Sequence, residues 1–135
     1  MSKVNNQLQS GSFFVEQRFS KRYHRDMVAT RQQALGIAAK VRSELEKLYG
    51  QRLAGVYLYG SAARDQLTPD SDIDIAIVLD KIQSRFEEIE RTGQLGSDVS
   101  LEYSTLVTFF FISESDFKEG VFTIHRVIKR EGVLV

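Results

Sequence analysis

Cysteine and tryptophan are absent from this sequence of 135 residues, and proline occurs only once. Without cysteine the chain cannot form a disulfide, a zinc site with thiolate ligands or a cysteine nucleophile, so any bound metal should be held by oxygen. An excess of charge is also absent, because 18 basic residues balance 18 acidic ones. A neutral chain lacks the general attraction for phosphate backbones that nucleic-acid-binding proteins use, so nucleic acid is not expected as a partner.

Long apolar runs are missing too. No segment of the sequence approaches the roughly 18 apolar residues of a membrane-spanning helix, and the first residues lack the apolar centre of a secretory signal. We therefore expect a cytoplasmic protein with no membrane partner. The hydrophobic fraction of 42% and the charged fraction of 27% are ordinary for a globular protein. The length suits one domain, which we place at residues 26–135, after an N-terminal tail or partner-contacting segment at residues 1–25.

The hydrophobic pattern predicts helices and short strands that alternate along this domain. The predicted elements are a helix over residues 26–49, strands over 53–59 and 72–80, a helix over 81–91, a strand over 106–112, helices starting near 113 and over 123–129, and a terminal strand over 132–135. Gly93 and Gly96 are expected to loosen the chain after the second long helix. The run LVTFFFI at 106–112 is apolar enough to predict a central strand that is covered on both faces.

The most informative stretch is GSAARDQLTPDSDIDIAIVL, residues 60–79, which contains a Gly-Ser turn, a polar loop and a strand. Asp72 and Asp74 stand two apart on that strand, so they share a face, with Cβ atoms roughly 6.5–7 Å apart. The isoleucines at 73, 75 and 77 take the other face, where they can be buried. Tyr57 and Tyr59 likewise share one face of the preceding strand, and we assign them to packing.

This stretch has the parts of a nucleotide site. Gly60 allows a sharp turn and a close approach of the backbone to a ligand. The N–H groups that follow it can bind phosphate together with the Ser61 hydroxyl, and Arg64 adds a positive charge. Asp72 and Asp74 can hold one or two Mg²⁺ ions, which prefer oxygen ligands and often bridge carboxylates to substrate phosphates.

These residues carry a resemblance to a known family. Gly60, Ser61, Arg64, Ser71, Asp72 and Asp74, in the form GSAAR…SDIDIAIV, resemble the motif of the minimal nucleotidyltransferases of the DNA polymerase β-like superfamily. The resemblance implies an α+β fold, a small mixed β-sheet with helices packed on one side and metal carboxylates at its edge. It also implies that Gly60, Ser61, Arg64 and Ser71 bind the nucleotide and that Asp72 and Asp74 bind the metal.

The function that the resemblance implies is transfer of AMP from ATP, with Mg²⁺, to a hydroxyl of a partner protein. In the minimal group the usual partner is a helical HEPN protein, and the transferase is the antitoxin of a toxin–antitoxin pair that modifies a tyrosine of the toxin. The alternative is a non-catalytic module that keeps the nucleotide pocket and neutralises or scaffolds its partner by contact. Transfer to a small molecule is disfavoured, since the chain leaves little room for a second domain that would form the acceptor pocket.

Two positions depart from the family pattern. Position 65, often glycine in the family, is Asp65 here, which adds a negative charge near the expected phosphates. Many members also carry a third carboxylate on the later strand, where this chain has only one polar side chain, Thr108. Glu102 is the acid in the preceding segment that we consider for completing the catalytic set. If no acid does so, the base must come from elsewhere, and the partner is one source.

Overall fold

The computed structural model describes residues 28–135. The predicted tail at residues 1–25 and the first two residues of the predicted domain lie outside the described residues. The elements in chain order are α1 (Arg31–Tyr49), a 3₁₀ turn (Gly50–Arg52), β1 (Leu53–Tyr59), α2 (Gly60–Ala63), β2 (Ile73–Leu79), α3 (Arg85–Tyr103), β3 (Val107–Ser113), α4 (Glu114–Glu119), α5 (Thr123–Glu131) and β4 (Val133–Leu134).

The strands form one mixed sheet in the order β3-β2-β1-β4. Strand β1 is antiparallel to both β2 and β4, whereas β2 and β3 are parallel. The expected α+β fold with a small mixed sheet is therefore confirmed. The prediction that the run at 106–112 is a central strand is wrong, because β3 lies at the edge of the described sheet. Its apolar character has another cause: Phe111 and Ile112 are both buried, on opposite faces.

Helices cover both faces of the sheet, in unequal layers. The long helices α1 and α3 pack on the face formed by Ile73, Ile75 and Ile77, where they bury the main core. The short helices α4 and α5 contribute Phe117 and Ile128 to a second, smaller cluster on the opposite face. The expectation that helices pack on one side of the sheet holds for the long helices α1 and α3. The short helices α4 and α5 pack on the other side.

Helix α1 begins later than the sequence pattern predicts. Thr30 is its N-terminal cap, and its side chain accepts a hydrogen bond of 3.1 Å from the Gln33 backbone N–H. A capped start fixes the first turn, so the helix begins at Arg31 and not at position 26. The buried residues recur every three or four positions, which places Tyr49 in the core and leaves Leu48 exposed.

Helix α3 is one continuous helix of 19 residues, so the prediction that Gly93 and Gly96 interrupt it is wrong. It starts at Arg85, after the Ser84 cap, and not at position 81. A Cβ on Gly96 would lie 3.4 Å from the ring of Phe109. The small residue therefore lets the helix lie close to β3, and this packing outweighs the weak helix propensity of glycine. We have no comparable explanation for Gly93.

The C-terminal elements follow the prediction closely. Ser113 caps α4, since its hydroxyl accepts a hydrogen bond from the Asp116 backbone N–H. Helix α5 and the short strand β4 then lead back to β1, where Leu134 pairs with Tyr57. Within residues 28–135, no helix is both long enough and apolar enough to cross a membrane.

Candidate active site

The turn after β1 is made by Gly60, the first residue of α2. Gly60 has a φ of +75°, a conformation that residues with a side chain rarely adopt. A Cβ at this position would also collide with Oδ2 of Asp74. Glycine is thus required both for the turn and for the close approach of Asp74, and the backbone of the Gly60–Ser61 turn lies directly against a carboxylate.

Asp74 lies on β2, opposite Tyr59 of β1 and beside Thr108 of β3. Its Oδ1 atom accepts a hydrogen bond of 2.9 Å from the Thr108 hydroxyl. Asp72 directly precedes β2, and both aspartates are half-buried. Ile73, between them, is fully buried in the main core. The alternation along the strand therefore puts both aspartates on the face opposite the main core, as the sequence predicts.

Asp74 is held in an environment that disfavours its negative charge. Burial raises the pKa of Asp74, and the nearby charge of Asp72 adds to this, against the lowering effects of the Thr108 hydrogen bond and of Arg64. Burial also raises the pKa of Tyr59 to about 12, with a contribution from Asp74. A cation bound between the aspartates would relieve the repulsion and favour their ionised forms.

The donor set fits Mg²⁺. Asp72 and Asp74 offer only oxygen atoms, which this ion prefers. In residues 28–135 no group of three or more histidine, cysteine, aspartate or glutamate side chains could hold a metal ion. Mg²⁺ commonly binds one or two carboxylates and completes its shell with water and phosphate oxygens. The pair is therefore suited to a cation that is shared with a phosphate-bearing substrate.

The loop after α2 places Arg64 next to the Gly60–Ser61 turn. The carbonyl of Ser61 accepts a hydrogen bond of 2.8 Å from the Gln66 backbone N–H, which folds the loop back on the turn. The Nε atom of Arg64 donates to the side chain of Gln66 at 3.0 Å, and a terminal nitrogen lies 3.5 Å from Glu131 of α5. Arg64 therefore adds positive charge near the turn, and its assignment to nucleotide binding stays a prediction.

Asp65, the departure from the family pattern, fits its position. Its φ is +57°, in the left-handed region that aspartate tolerates better than most side chains and that glycine adopts without strain. Its carboxylate accepts a hydrogen bond of 2.8 Å from the backbone N–H of Arg31, the first residue of α1. A negative charge at a helix N-terminus is favourable. The extra charge thus ties the loop to α1.

Ser71 shapes the loop that leads to Asp72. Its hydroxyl oxygen accepts a hydrogen bond of 2.9 Å from the Thr68 backbone N–H, and its own N–H donates to the Thr68 carbonyl at 3.0 Å. These two bonds close a turn around the single proline, Pro69. In this structure the observed bonds of Ser71 are therefore within the loop, and its assignment to nucleotide binding stays a prediction.

Glu102 is not brought to the two aspartates. It lies on α3, and both of its carboxylate oxygens are 2.8 Å from the Nζ atom of Lys40 on α1. Helices α1 and α3 cover the face of the sheet opposite Asp74. The strand position beside Asp74, where a third carboxylate could face the pair, is taken by Thr108.

Three further residues belong to this site. Thr108 stands out in the sequence only as the one polar residue of an apolar strand, and the parallel register brings it to Asp74. Tyr59 is assigned to packing by its strand pattern, although its position directly before Gly60 could have placed it here. Glu131 gives no signal in the sequence, because it lies far along the chain from Arg64.

Comparisons with known proteins bear on the family and on the fold. A family model for the nucleotidyltransferase domain matches residues 38–130, whereas a comparison with curated proteins found no match. The solved structure of a protein from Sulfolobus solfataricus that is assigned as a nucleotidyltransferase is similar, with a TM-score of 0.55. It is 24% identical, over 77% of this chain and 80% of the other.

A mutant of the toxin–antitoxin pair MntA–HpeT is also similar in fold. Its TM-score is 0.51 and its sequence identity is 17%, over 70% of this chain and 69% of the other. These two likenesses establish the fold alone, because the identities are low. The family model covers more than half of the chain, including every site residue from Gly60 to Thr108. The chain therefore belongs to the nucleotidyltransferase domain family.

Proposed function

We propose that this protein transfers AMP from ATP to a tyrosine hydroxyl of a partner protein, with Mg²⁺ as its cofactor. The observation that carries the proposal is the contact between Gly60 and Asp74, which is so close that a Cβ on Gly60 would collide with the carboxylate. This contact joins a turn that can bind phosphate oxygens to a carboxylate pair that can bind a cation. A displacement on a nucleotide needs both in one place.

Each residue of the site has a role in this proposal. The backbone N–H groups after Gly60 and the Ser61 hydroxyl bind the triphosphate, and Arg64 adds a positive charge. Asp72 and Asp74 would hold Mg²⁺, which supplies positive charge to the phosphate oxygens when it is bound. Thr108 fixes the orientation of Asp74 through its hydrogen bond.

In the proposed reaction, the acceptor hydroxyl oxygen attacks the α-phosphorus of ATP. A bond forms between that oxygen and the phosphorus, and the bond from the phosphorus to the oxygen bridging to the β-phosphate breaks. Pyrophosphate leaves with the electron pair of the broken bond. The hydroxyl proton passes to a base, and since Thr108 rather than an acid stands beside Asp74, we assign the base to the partner protein.

The toxin–antitoxin relationship supports a protein as the acceptor. MntA–HpeT is such a pair, and the mutant whose fold resembles this chain has two aspartates, two positions apart, replaced by glutamate. Asp72 and Asp74 have the same spacing. We propose accordingly that this protein is the antitoxin of a pair and that its toxin is a small helical HEPN protein.

The second candidate is a non-catalytic nucleotide-binding module that neutralises or scaffolds its partner by contact. One observation favours it, namely that residues 28–135 offer two grouped carboxylates and no third. Such a module would still bind nucleotide at the Gly60–Ser61 turn. The two candidates differ in whether the partner becomes covalently modified.

The experiment that separates them uses ATP labelled at the α- or the γ-phosphate. The protein is incubated with Mg²⁺, labelled ATP and the HEPN-type product of the adjacent gene, next to an Asp72→Ala/Asp74→Ala variant. We expect label on the partner from α-labelled ATP only, and only with the wild-type protein. An Asp70→Ala variant, which removes an exposed acid of the same loop, is the matched control and should label as the wild type does.

Two results would contradict the transfer of AMP. Label from γ-labelled ATP would indicate phosphorylation instead. Tight binding of the partner with no label from either form would favour the non-catalytic module.

A further inference from the structure

Arg64, the cation of the proposed phosphate site, is already paired with an acid. One of its terminal nitrogens lies 3.5 Å from Oε1 of Glu131. Its Nε atom donates to Gln66 at 3.0 Å. Asp72 and Asp74 are nearer in sequence, yet neither forms an ion pair with Arg64 within the described part of the chain. Arg64 influences Asp74 only through its charge.

The fold holds the backbone of Glu131 in place, and its carboxylate also lies 3.3 Å from a terminal nitrogen of Arg130. Glu131 is the last residue of α5, and Gly132 directly after it donates a hydrogen bond of 2.7 Å to the carbonyl of Ile128. A Cβ on Gly132 would collide with that carbonyl, so the backbone turns sharply at the end of the helix. Val133 then pairs with Leu58 on β1, the strand that ends directly before Gly60. The end of α5 is thus fixed to the same strand as the turn.

A triphosphate in the Gly60–Ser61 turn would bring several negative charges to this place. The Arg64 side chain can serve either Glu131 or a phosphate, since a guanidinium paired with one acid must leave it, or share its donors, to bind another. The Arg64–Glu131 pair is half exposed, with side-chain exposures of 45% and 34%. Pairs of this kind are weak, so the exchange is feasible.

We propose that Glu131 is a positioning residue that holds Arg64 while the site is empty and gives it up to the nucleotide phosphates on binding. The exchange lowers the affinity for ATP, because the ion pair must break before Arg64 can bind phosphate. This inference rests on the proposed function, since it takes the Gly60–Ser61 turn as the nucleotide site.

The test is a titration with MgATP by calorimetry of the full chain and three single variants. In Glu131→Gln the side chain keeps its shape and can still accept a hydrogen bond, but the competing charge is gone. We expect its Kd for MgATP to fall by about two- to fivefold, the range that an exposed ion pair can supply. Arg64→Ala should raise the Kd. Glu44→Gln, which removes the acid of a similarly exposed pair with Lys47 on α1, should leave it unchanged.

A double variant distinguishes the exchange from simple charge repulsion. If Glu131 acts through Arg64, the gain from Glu131→Gln disappears in the Arg64→Ala background. An equal gain in that background would mean that Glu131 repels the phosphates directly, and it would overturn the exchange. A higher Kd for Glu131→Gln would mean that Glu131 keeps Arg64 off the aspartates, and it would overturn the exchange as well.

The same titration separates this inference from the proposed function. Wild-type binding of MgATP with no change in Glu131→Gln would refute the role of Glu131 alone. No binding of MgATP by the wild type or any variant would refute the nucleotide site, and the inference would fail with it. Thermal unfolding of each variant serves as the check that the fold is intact.

Discussion

Glu88 and Asp74 are two acidic residues that lie near opposite ends of β2 and are at least partly buried. The charged and hydrogen-bonding groups around them differ. Glu88, on α3, accepts hydrogen bonds from the Tyr49 hydroxyl at 2.7 Å, from Arg52 at 3.0 Å and from Arg91. Burial would raise the pKa of Glu88, but these bonds and the charge of Arg52 outweigh it, and the pKa is lowered. Groups of the protein itself thus stabilise the negative charge of Glu88.

Asp74 has a much poorer set of neighbours. It accepts a hydrogen bond from the neutral Thr108 hydroxyl, and the negative charge of Asp72 disfavours its ionised form. Its pKa is raised, first by burial. A buried acid with matching cations thus stabilises the fold, whereas one left with a neutral partner and a second acid is adapted to a cation from outside.

The largest effect is expected from Asp74→Asn, measured as AMP transfer to the partner. The change keeps the size of the side chain and an acceptor for Thr108 but removes a charge that the cation needs. Loss of a metal contact removes several kcal/mol of stabilisation, so transfer should fall by at least about 100-fold. Glu88→Gln should leave the transfer rate of the folded protein near the wild-type value. Similar losses in both variants would contradict the division of roles.

The second effect concerns Glu88 and stability. Glu88→Gln leaves Arg52 and Arg91 without their shared acid, and we expect the free energy of unfolding at pH 7 to fall by about 2 kcal/mol. Urea denaturation measures this change. Glu87→Gln, at the exposed neighbouring position, is the control and should change the free energy by less than about 0.5 kcal/mol.

The pH dependence of stability follows from the same acid. Because the pKa of Glu88 is lower in the folded protein, its stabilising contribution is present above the unfolded pKa of about 4.3 and is lost as the pH falls through the folded value. Wild-type stability should therefore decrease on acidification below about pH 5. In Glu88→Gln this part of the decrease should be missing. Parallel acid profiles of the two proteins would contradict the assignment.

Even the smallest side chain at position 60 should lower the stability of the protein and its affinity for a metal ion. Gly60→Ala puts a Cβ at a φ of +75° and against Asp74, and it should cost about 1–2 kcal/mol in the free energy of unfolding from the backbone strain. It should also weaken Mn²⁺ binding, measured by electron paramagnetic resonance, because Asp74 must move. Gly36→Ala is the contrasting change. A Cβ there meets nothing within 4 Å in helix α1, and we expect a gain of up to about 1 kcal/mol.

The smallest effect is the stability of Asp74→Asn without metal. An acid whose folded pKa is raised destabilises the fold wherever it is ionised, so at pH 7 the wild type bears a cost that the amide does not. The variant should be more stable by about 0.5–1 kcal/mol in the presence of a chelator, measured by thermal unfolding. A destabilised variant would show that neighbouring groups of the protein stabilise the charge of Asp74, as they do for Glu88.

Much of the fold could be predicted because the relevant patterns are local. The strand over residues 53–59 and the short helix starting near residue 113 are confirmed, since each depends on adjacent residues. The order of the strands was harder. The apolar run of β3 predicts a central strand, yet β3 is at the edge, because an edge strand covered by α3 on one face and α4 on the other needs the same composition.

The helices illustrate the same limit. Gly93 and Gly96 predict a break, whereas α3 runs through both, because Gly96 packs against Phe109 of a strand that lies further along the chain. Helix propensity is a weak preference that packing can override. The start of α1 depended on the Thr30 cap, which a pattern of hydrophobic residues does not record.

The central part of the site is encoded locally. The Gly-Ser turn and the two aspartates on one face follow from residues within twenty positions, because a strand alternates its side chains with a period of two. The residues that join them come from distant parts of the chain. Thr108 reaches Asp74 through the parallel register of β2 and β3, and Glu131 reaches Arg64 from the end of α5. Such contacts depend on how separate elements pack, and no local period encodes that.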